Sequence, residues 1–209
     1  GGKKSADVEV LAETTYWQSA ADFYFEDEAR ALERLGETAV IAAKQALNNR
    51  VIALQILRLK GVVLEKLNRE SEALSAYKRA LDLLFPKFDT ESYLSVLVEG
   101  LDTLGNDGRA GYEVMLALGG WVRLTQSSVE DVATLSFDII EHLADVVPYI
   151  LHCRASAVIC LSLAKRGHLV AAKRAQSWAR ASGGSALLAA SLVYRVLLDE
   201  RVFEEATRT

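Results

Sequence analysis

The sequence predicts an all-α fold made of antiparallel helix pairs, and three observations support this prediction. The 209 residues include only two prolines, while 51% are hydrophobic, a composition that favours helices over turn-rich β structure. Apolar residues recur at spacings of three and four, which place them on one face of a helix. The pattern returns with an offset near 34 residues, so we expect an array of repeats.

The clearest helix pair lies at 57–86, where two amphipathic helices are joined by a short polar turn. Gly61 costs about 1 kcal/mol relative to alanine in mid-helix, so we expect it to permit close approach by a neighbouring helix. The pair is defined by large and small apolar residues and a closing proline: Leu57, Gly61, Leu64 and Leu67, then Ala73, Tyr77 and Ala80, then Pro86.

This pair resembles a tetratricopeptide repeat, with Leu57 and Leu64 in place of the family's usual tryptophan and tyrosine. The resemblance implies a right-handed superhelix of antiparallel helix pairs, a TPR-like α-solenoid, over residues 16–124. Residues 1–15 would form a flexible or helical lead, and residues 125–209 a divergent helical extension. The family binds partner proteins without catalysis, so the resemblance also implies a protein–protein interaction scaffold.

Two further copies of the repeat flank this pair. In the first copy we expect a helix over 8–35, a turn at Gly36 and a second helix over 39–48. Its predicted apolar stripe is Trp17, Ala21, Phe25, Ala29 and Leu32. The third copy combines Leu94, Val98, Leu101 and Leu104 with Ala110, Val114 and Ala117.

Helical patterns continue after residue 125. Ser127 and Ser128 begin two overlapping capping boxes, so a helix should start there. Pro148 should open the next helix, which runs to about Arg166, and another should follow over 169–181. We expect the glycine pairs at 119–120 and 183–184 to break helices. A last helix over 186–199 is apolar on more than one face, so it should pack on the array or meet a partner, including a second copy of the chain.

Charge and cysteine content narrow the classes of function. A net charge of −4 with a pI near 5.5 argues against general nucleic-acid binding. The first ten residues lack the apolar segment of a secretory signal, so we expect none, and we expect no membrane span because no apolar run reaches eighteen residues. Cys153 and Cys160 lie too far apart along one helix for a disulfide between them, which favours a cytoplasmic or other intracellular location. Because the chain begins with Gly-Gly instead of Met, we expect it to be a fragment of a larger protein.

No arrangement typical of an active site or metal site is present. His142, His152 and His168 are scattered over three segments, and no second histidine lies four residues from any of them. His152 with Cys153 and Cys160 lacks a local fourth ligand. The sequence therefore predicts no catalytic residue, metal or cofactor. A buried His–Cys–acid cluster around His152 and Cys153 would revive the enzyme alternative.

The resemblance places a peptide-binding groove along the first helix of each pair. Five acids and two bases make this surface acidic, so we expect a basic or mixed protein or peptide partner; the alternative is a solvated helix face without a ligand. The family's chaperone-binding pattern of lysine, arginine and asparagine is absent. The matching positions are Phe23, Glu26, Arg30, Glu33, Gln55, Arg58, Val62, Glu65, Ser95, Glu99 and Asp102.

A basic segment stands out within this acidic chain, because no acid occurs between Asp145 and Asp199. Its central residues are Lys165, Arg166, Lys173, Arg174 and Arg180. Such a segment would suit an acidic partner, an anionic lipid surface or RNA. The alternatives are a solvated outer face, or pairing with the acidic residues 26–28 of a neighbouring copy.

The predicted function is a non-catalytic scaffold that holds a partner protein within a multiprotein assembly. One alternative is a structural or self-associating subunit whose groove stays empty. A more distant alternative is an adaptor for an acidic partner or RNA through the basic segment.

Overall fold

A computed structural model describes residues 2–36, 50–85 and 107–181, excluding the side chains of 2–6, 50, 172, 176, 179 and 180. In these ranges the chain forms eight helices and no strand. The helices are α1 (Gly2–Tyr24), α2 (Glu28–Arg34), α3 (Arg50–Lys66), α4 (Glu70–Leu81), α5 (Gly108–Leu124), α6 (Val129–His142), α7 (Tyr149–Lys165) and α8 (Leu169–Ala181). The predicted helices at 39–48, 94–104 and 186–199 lie outside the described residues, as does Pro86.

The N-terminal segment is a helix pair, so the prediction of one helix over 8–35 was wrong. The chain turns at residues 25–27, where Glu26 adopts a positive φ of 63°. The predicted apolar stripe was also wrong, because Trp17 and Phe25 are exposed while Tyr16 is buried. The buried face of α1 contains Ala12, Tyr16 and Ser19, which are four and three residues apart. Helix α1 contacts α3.

Three of the helix pairs are joined by the same kind of turn. Glu26, Asn68 and Gly167 each take a positive φ between two helices. The next residue then donates its backbone N–H to a carbonyl five positions earlier. These bonds are Asp27 to Asp22 and Arg69 to Leu64, both 2.9 Å, and His168 to Leu163, 3.1 Å. This is the Schellman arrangement, and it folds α2 back on α1, α4 on α3, and α8 on α7.

The centre of the described fold is the ring of Tyr77, held between α3 and α5. A Cβ atom added to Gly61 would lie 2.6 Å from Tyr77 Cε1, so the prediction of close approach at Gly61 is confirmed. Gly120 meets the same ring from α5. The prediction that Gly119 and Gly120 break a helix was wrong: both are buried within α5. Their missing side chains let α4 approach one side of α5 and α7 the other.

The remaining helices follow the predicted starts and ends. Ser128 caps α6 by accepting a hydrogen bond from the Asp131 N–H at 3.3 Å, and Pro148 precedes α7. Helix α7 packs against α5, α6 and α8, and its middle is buried on nearly every side. Helix α5 in turn lies against α3, α4 and α7, so a single hydrophobic core connects the described helices.

In the part of the chain that the structure describes, none of the helices combines the length and apolar character that crossing a membrane requires.

Candidate functional site

The second-copy groove residues Gln55 and Arg58 lie in a polar contact between α3 and α5. Arg58 Nε donates to Glu113 Oε2 at 2.5 Å, and Gln55 Nε2 donates to Glu113 Oε1 at 3.1 Å. Arg58 Nη2 also donates to the Tyr16 hydroxyl at 3.3 Å, which joins α1 to the same contact. Burial raises the pKa of Tyr16. Burial alone would lower the pKa of Arg58, but the Glu113 carboxylate together with Tyr16 and Tyr77 outweighs burial, so the pKa is raised.

Glu65 forms a second polar contact about two helical turns beyond Arg58 on α3. Its Oε1 accepts the Tyr77 hydroxyl at 2.5 Å, and its two oxygens accept Arg123 Nε at 2.8 Å and Nη2 at 2.6 Å. The bidentate geometry orients both side chains. Burial and the Glu65 carboxylate together raise the pKa of Tyr77, which keeps its hydroxyl a donor. Val62, between the two contacts, is half-buried against the core.

The first-copy groove residues do not join this surface. Glu26 lies at the turn between α1 and α2, and Phe23 is half-buried against the core. Arg30 and Glu33 are exposed on α2, with Arg30 Nε 3.8 Å from an Asp22 oxygen. Partner binding by all these groove positions remains a prediction. The third-copy positions Ser95, Glu99 and Asp102 lie outside the described residues.

The basic segment does not form one open patch. Lys165, Lys173 and Arg174 are exposed, and the Arg174 guanidinium carbon stacks 4.2 Å from the centre of the Phe137 ring. Arg166 instead donates to the Val122 carbonyl at 3.0 Å and to the Ser127 carbonyl. Desolvation there lowers its pKa. The sequence-based prediction that Arg166 belongs to an open basic patch is therefore wrong, because Nη1 and Nη2 of its guanidinium both donate to backbone carbonyls. The side chain of Arg180 is not described.

His152 and the cysteines are packing residues of α7. His152 Nε2 lies 2.8 Å from the Ile140 carbonyl, and its ring meets Trp178 edge-on at 5.4 Å. Cys153 and Cys160 are free and buried, and burial raises the pKa of the Cys160 thiol to about 12. Within the described residues, no group of three or more His, Cys, Asp or Glu side chains is arranged to hold a metal ion.

Sequence reasoning missed an exposed apolar surface, which we call the α1 face. Its five large side chains are between 57% and 81% exposed, and Tyr24 and Phe25 stack edge-to-face at 5.5 Å. The α1 face consists of Val10, Leu11, Trp17, Tyr24 and Phe25. Exposed apolar patches of this kind mark interaction surfaces.

A sequence signal for the α1 face does exist. Val10, Trp17 and Tyr24 are seven residues apart, with small Thr14 and Ala21 between them, a heptad spacing that gives one continuous stripe. The buried residues Ala12, Tyr16 and Ser19 lie on a different side of the helix, and the Tyr16 ring meets the Trp17 ring edge-on at 5.1 Å where the two sides adjoin.

Comparison with known proteins gives no relative for this chain: it matches no family model, no curated protein and no solved structure.

Proposed function

We propose that this protein is a non-catalytic, intracellular scaffold, TPR-like in architecture, that binds a partner protein through the α1 face. The observation that carries the proposal is the exposure of the five large apolar side chains that make up the α1 face. A monomeric protein rarely leaves such a patch open, because burying each of these side chains gains about 1.5–3 kcal/mol. The occupant is a protein or peptide within a larger assembly.

Three observations support a right-handed superhelix of repeats. The first is the Gly61–Tyr77 contact, which pairs the small residue of one helix with the aromatic residue of the next, as the resemblance implies. The second is the turn shared by three helix pairs, with its left-handed residue at 26, 68 and 167. Helices α1, α3, α5 and α7 are also successive neighbours, as the first helices of stacked pairs would be.

A structural subunit with an empty groove is the second candidate, and the paired groove residues favour it. Gln55, Arg58 and Glu65 already bind Glu113, Tyr77 and Arg123 inside the chain. A peptide that used these side chains would have to replace buried, charge-assisted hydrogen bonds. Under this alternative, contacts with the rest of an assembly form at the outer helices, and the α1 face is again the available surface.

Affinity capture with three variants tests the proposal. The first, Trp17→Ala with Tyr24→Ala, removes apolar area from the α1 face. The second, Arg30→Glu with Glu33→Lys, alters exposed groove positions without touching the buried contacts. The matched control, Lys78→Ala, changes an exposed position on α4. Some proteins will be captured by both the wild type and the control. We expect the α1 variant to capture about tenfold less of them, or less still, since two hot-spot aromatics are lost.

The result is then checked with the purified partner by isothermal titration calorimetry. Loss with only the second variant would assign binding to the groove instead of the α1 face. A partner retained equally by all three variants would contradict the proposed scaffold function.

A further inference from the structure

Exposed large apolar side chains occur in two separate regions of the described chain. Five form the α1 face, and the other three are Tyr149 and Ile150 at the start of α7 and Val170 at the start of α8. These two regions lie in the first and last helix pairs of the described order, α1–α2 and α7–α8. The two regions differ most in charge.

The α1 face lies in an acidic part of the chain. Residues 1–36 contain eight acids and four bases. Two of those bases, Arg30 and Arg34, are both close to Asp22, at 3.8 Å and 2.5 Å. Glu26, Asp27 and Glu33 are exposed around the aromatic end of the face. A ligand of this surface must be apolar at its centre and basic at its margin.

The α7–α8 pair has those properties. Residues 146–181 contain six bases and no acid. Along α8, Val170, Lys173 and Ser177 follow one another at spacings of three and four and are all exposed, and Arg174 is exposed beside them. We call this surface of α8 the basic face. It combines the exposed Val170 side chain with positive charge, whereas the α1 face combines exposed apolar side chains with negative charge.

We propose that the α1 face of one molecule binds the basic face of a second copy, head to tail. The inference rests on the proposed function, in which the α1 face is a docking surface, and it names the occupant. A symmetric pair of α1 faces would bring two acidic surfaces together, which costs free energy, whereas the head-to-tail contact joins opposite charges. The Lys173 ammonium reaches the acidic margin at 26–33, and Val170 covers aromatic area.

A head-to-tail contact leaves one free α1 face and one free basic face on every complex. Such a contact is heterologous, so further copies add until a ring closes or an open chain forms. The average mass must therefore rise with protein concentration beyond that of a dimer. Because opposite charges steer and hold the contact, it must weaken as ionic strength shortens the Debye length.

Sedimentation velocity of the purified chain, from about 5 to about 300 µM in about 50 mM salt, tests this prediction. We expect the weight-average mass of the wild type to rise with concentration, and the association constant to fall about tenfold or more in about 500 mM salt. One blocking variant is Trp17→Lys with Tyr24→Lys on the α1 face. The other is Val170→Glu with Lys173→Glu on the basic face. All four positions are exposed, and circular dichroism with a thermal melt verifies folding.

The mixture of the two blocked variants is the decisive sample. Each variant alone keeps one working face and must be monomeric, because a head-to-tail contact needs both faces. Mixed together, they must form a one-to-one dimer and nothing larger, since the intact basic face of the first meets the intact α1 face of the second. A wild type that stays monomeric, a blocked variant that still associates alone, or a monomeric mixture would each overturn the inference.

These outcomes are separable from those of the capture experiment. If the wild type is monomeric at about 300 µM while the α1 variant loses a captured protein about tenfold, the scaffold function stands and the occupant is a different basic protein. If the wild type associates as described but captures nothing else, the second copy is the partner.

Discussion

The junction of α3, α4 and α5 and the α1 face use similar residues in opposite ways. At the junction, the Tyr77 ring fills the space between Gly61 and Gly120, and its hydroxyl binds Glu65. On the α1 face, Trp17 and Tyr24 have no such receptor and remain exposed. The difference teaches that helical spacing alone does not place an aromatic residue in the core, and that Tyr77 is buried because two neighbouring helices offer glycines beside its ring. Where none does, the same pattern leaves a surface open to another molecule.

The largest effect is expected from Glu113→Ala at the junction. It would leave the Arg58 guanidinium buried without its carboxylate, and breaking such a pair costs about 3–5 kcal/mol. Urea denaturation followed by circular dichroism measures the loss. The exposed Glu72→Ala, which removes a surface ion pair, is the control and should change stability far less than Glu113→Ala, since solvent screens such a pair. Equal effects for the two variants would show that the junction is no more tightly built than the surface.

The next largest effect is expected from Gly120→Ala. The added Cβ would overlap the Tyr77 ring, and overpacking of this kind costs about 1–3 kcal/mol. Its neighbour is the matched control: a Cβ at Gly119 would lie 3.1 Å from Val158 Cγ1, a side-chain atom that can shift, so Gly119→Ala should cost less. The Tyr77→Leu background should reduce the cost of Gly120→Ala, as a double-mutant cycle would measure. Additive costs would mean that Tyr77 is not the obstacle.

Alkaline pH should lower the free energy of unfolding, because the core contains buried groups whose pKa values are raised. The unfolded chain loses the Cys160 proton near a pKa of about 8.5, whereas the folded chain holds it until about 12. Between these values the unfolded state binds fewer protons, so stability falls as pH rises, by up to about 1.4 kcal/mol per pH unit. The raised pKa values of Tyr16 and Tyr77 add to the loss above about pH 10.

Urea midpoints measured from pH 7 to pH 11 would check this slope. Cys160→Ala should reduce the fall between about pH 8.5 and 10, because the tyrosines titrate above that range. A midpoint that stays constant to pH 11 in the unaltered chain would contradict the burial of these groups.

The smallest effect on stability is expected from Trp17→Ser on the α1 face. Surface substitutions usually change stability by less than about 0.5 kcal/mol, and Trp17 is 57% exposed. The adjacent Tyr16→Ser should cost about 3 kcal/mol, since it truncates a buried aromatic side chain that also accepts from Arg58. Thermal melts of the two variants compare adjacent residues of one helix, one buried and the other exposed. A large loss for Trp17→Ser would place this residue in the core and remove the α1 face as a docking surface.

Local signals in the sequence predicted much of the helical layout. The helix over 169–181, the start after Ser128 and the start at Pro148 all depend on chain chemistry within a few residues, and all three are confirmed. Close approach at Gly61 is confirmed for the same reason, because a mid-helix glycine costs stability unless a neighbour uses the space.

The errors arose where distant residues decide the outcome. Gly119 and Gly120 have the local character of a helix break, but Tyr77 and Val158 from other helices occupy the space beside them. The residues around Arg166 in the sequence cannot reveal that its side chain binds two backbone carbonyls 44 and 39 residues earlier in the chain. The charges of Arg58 and Glu65 are typical of a solvated groove, yet their partners Glu113 and Arg123 lie 55 and 58 residues away.

The Arg166 contact also limits how this chain can be divided. Its guanidinium holds carbonyls 44 and 39 residues upstream, one at the end of α5 and one just before α6. In a repeat array, the stability of each unit depends on its interface with the neighbouring unit. Here that interface includes a side chain that holds the neighbouring pair's turn. A proteolytic cut after Lys165 is therefore expected to release α8 and also to loosen the segment that leads from α5 into α6.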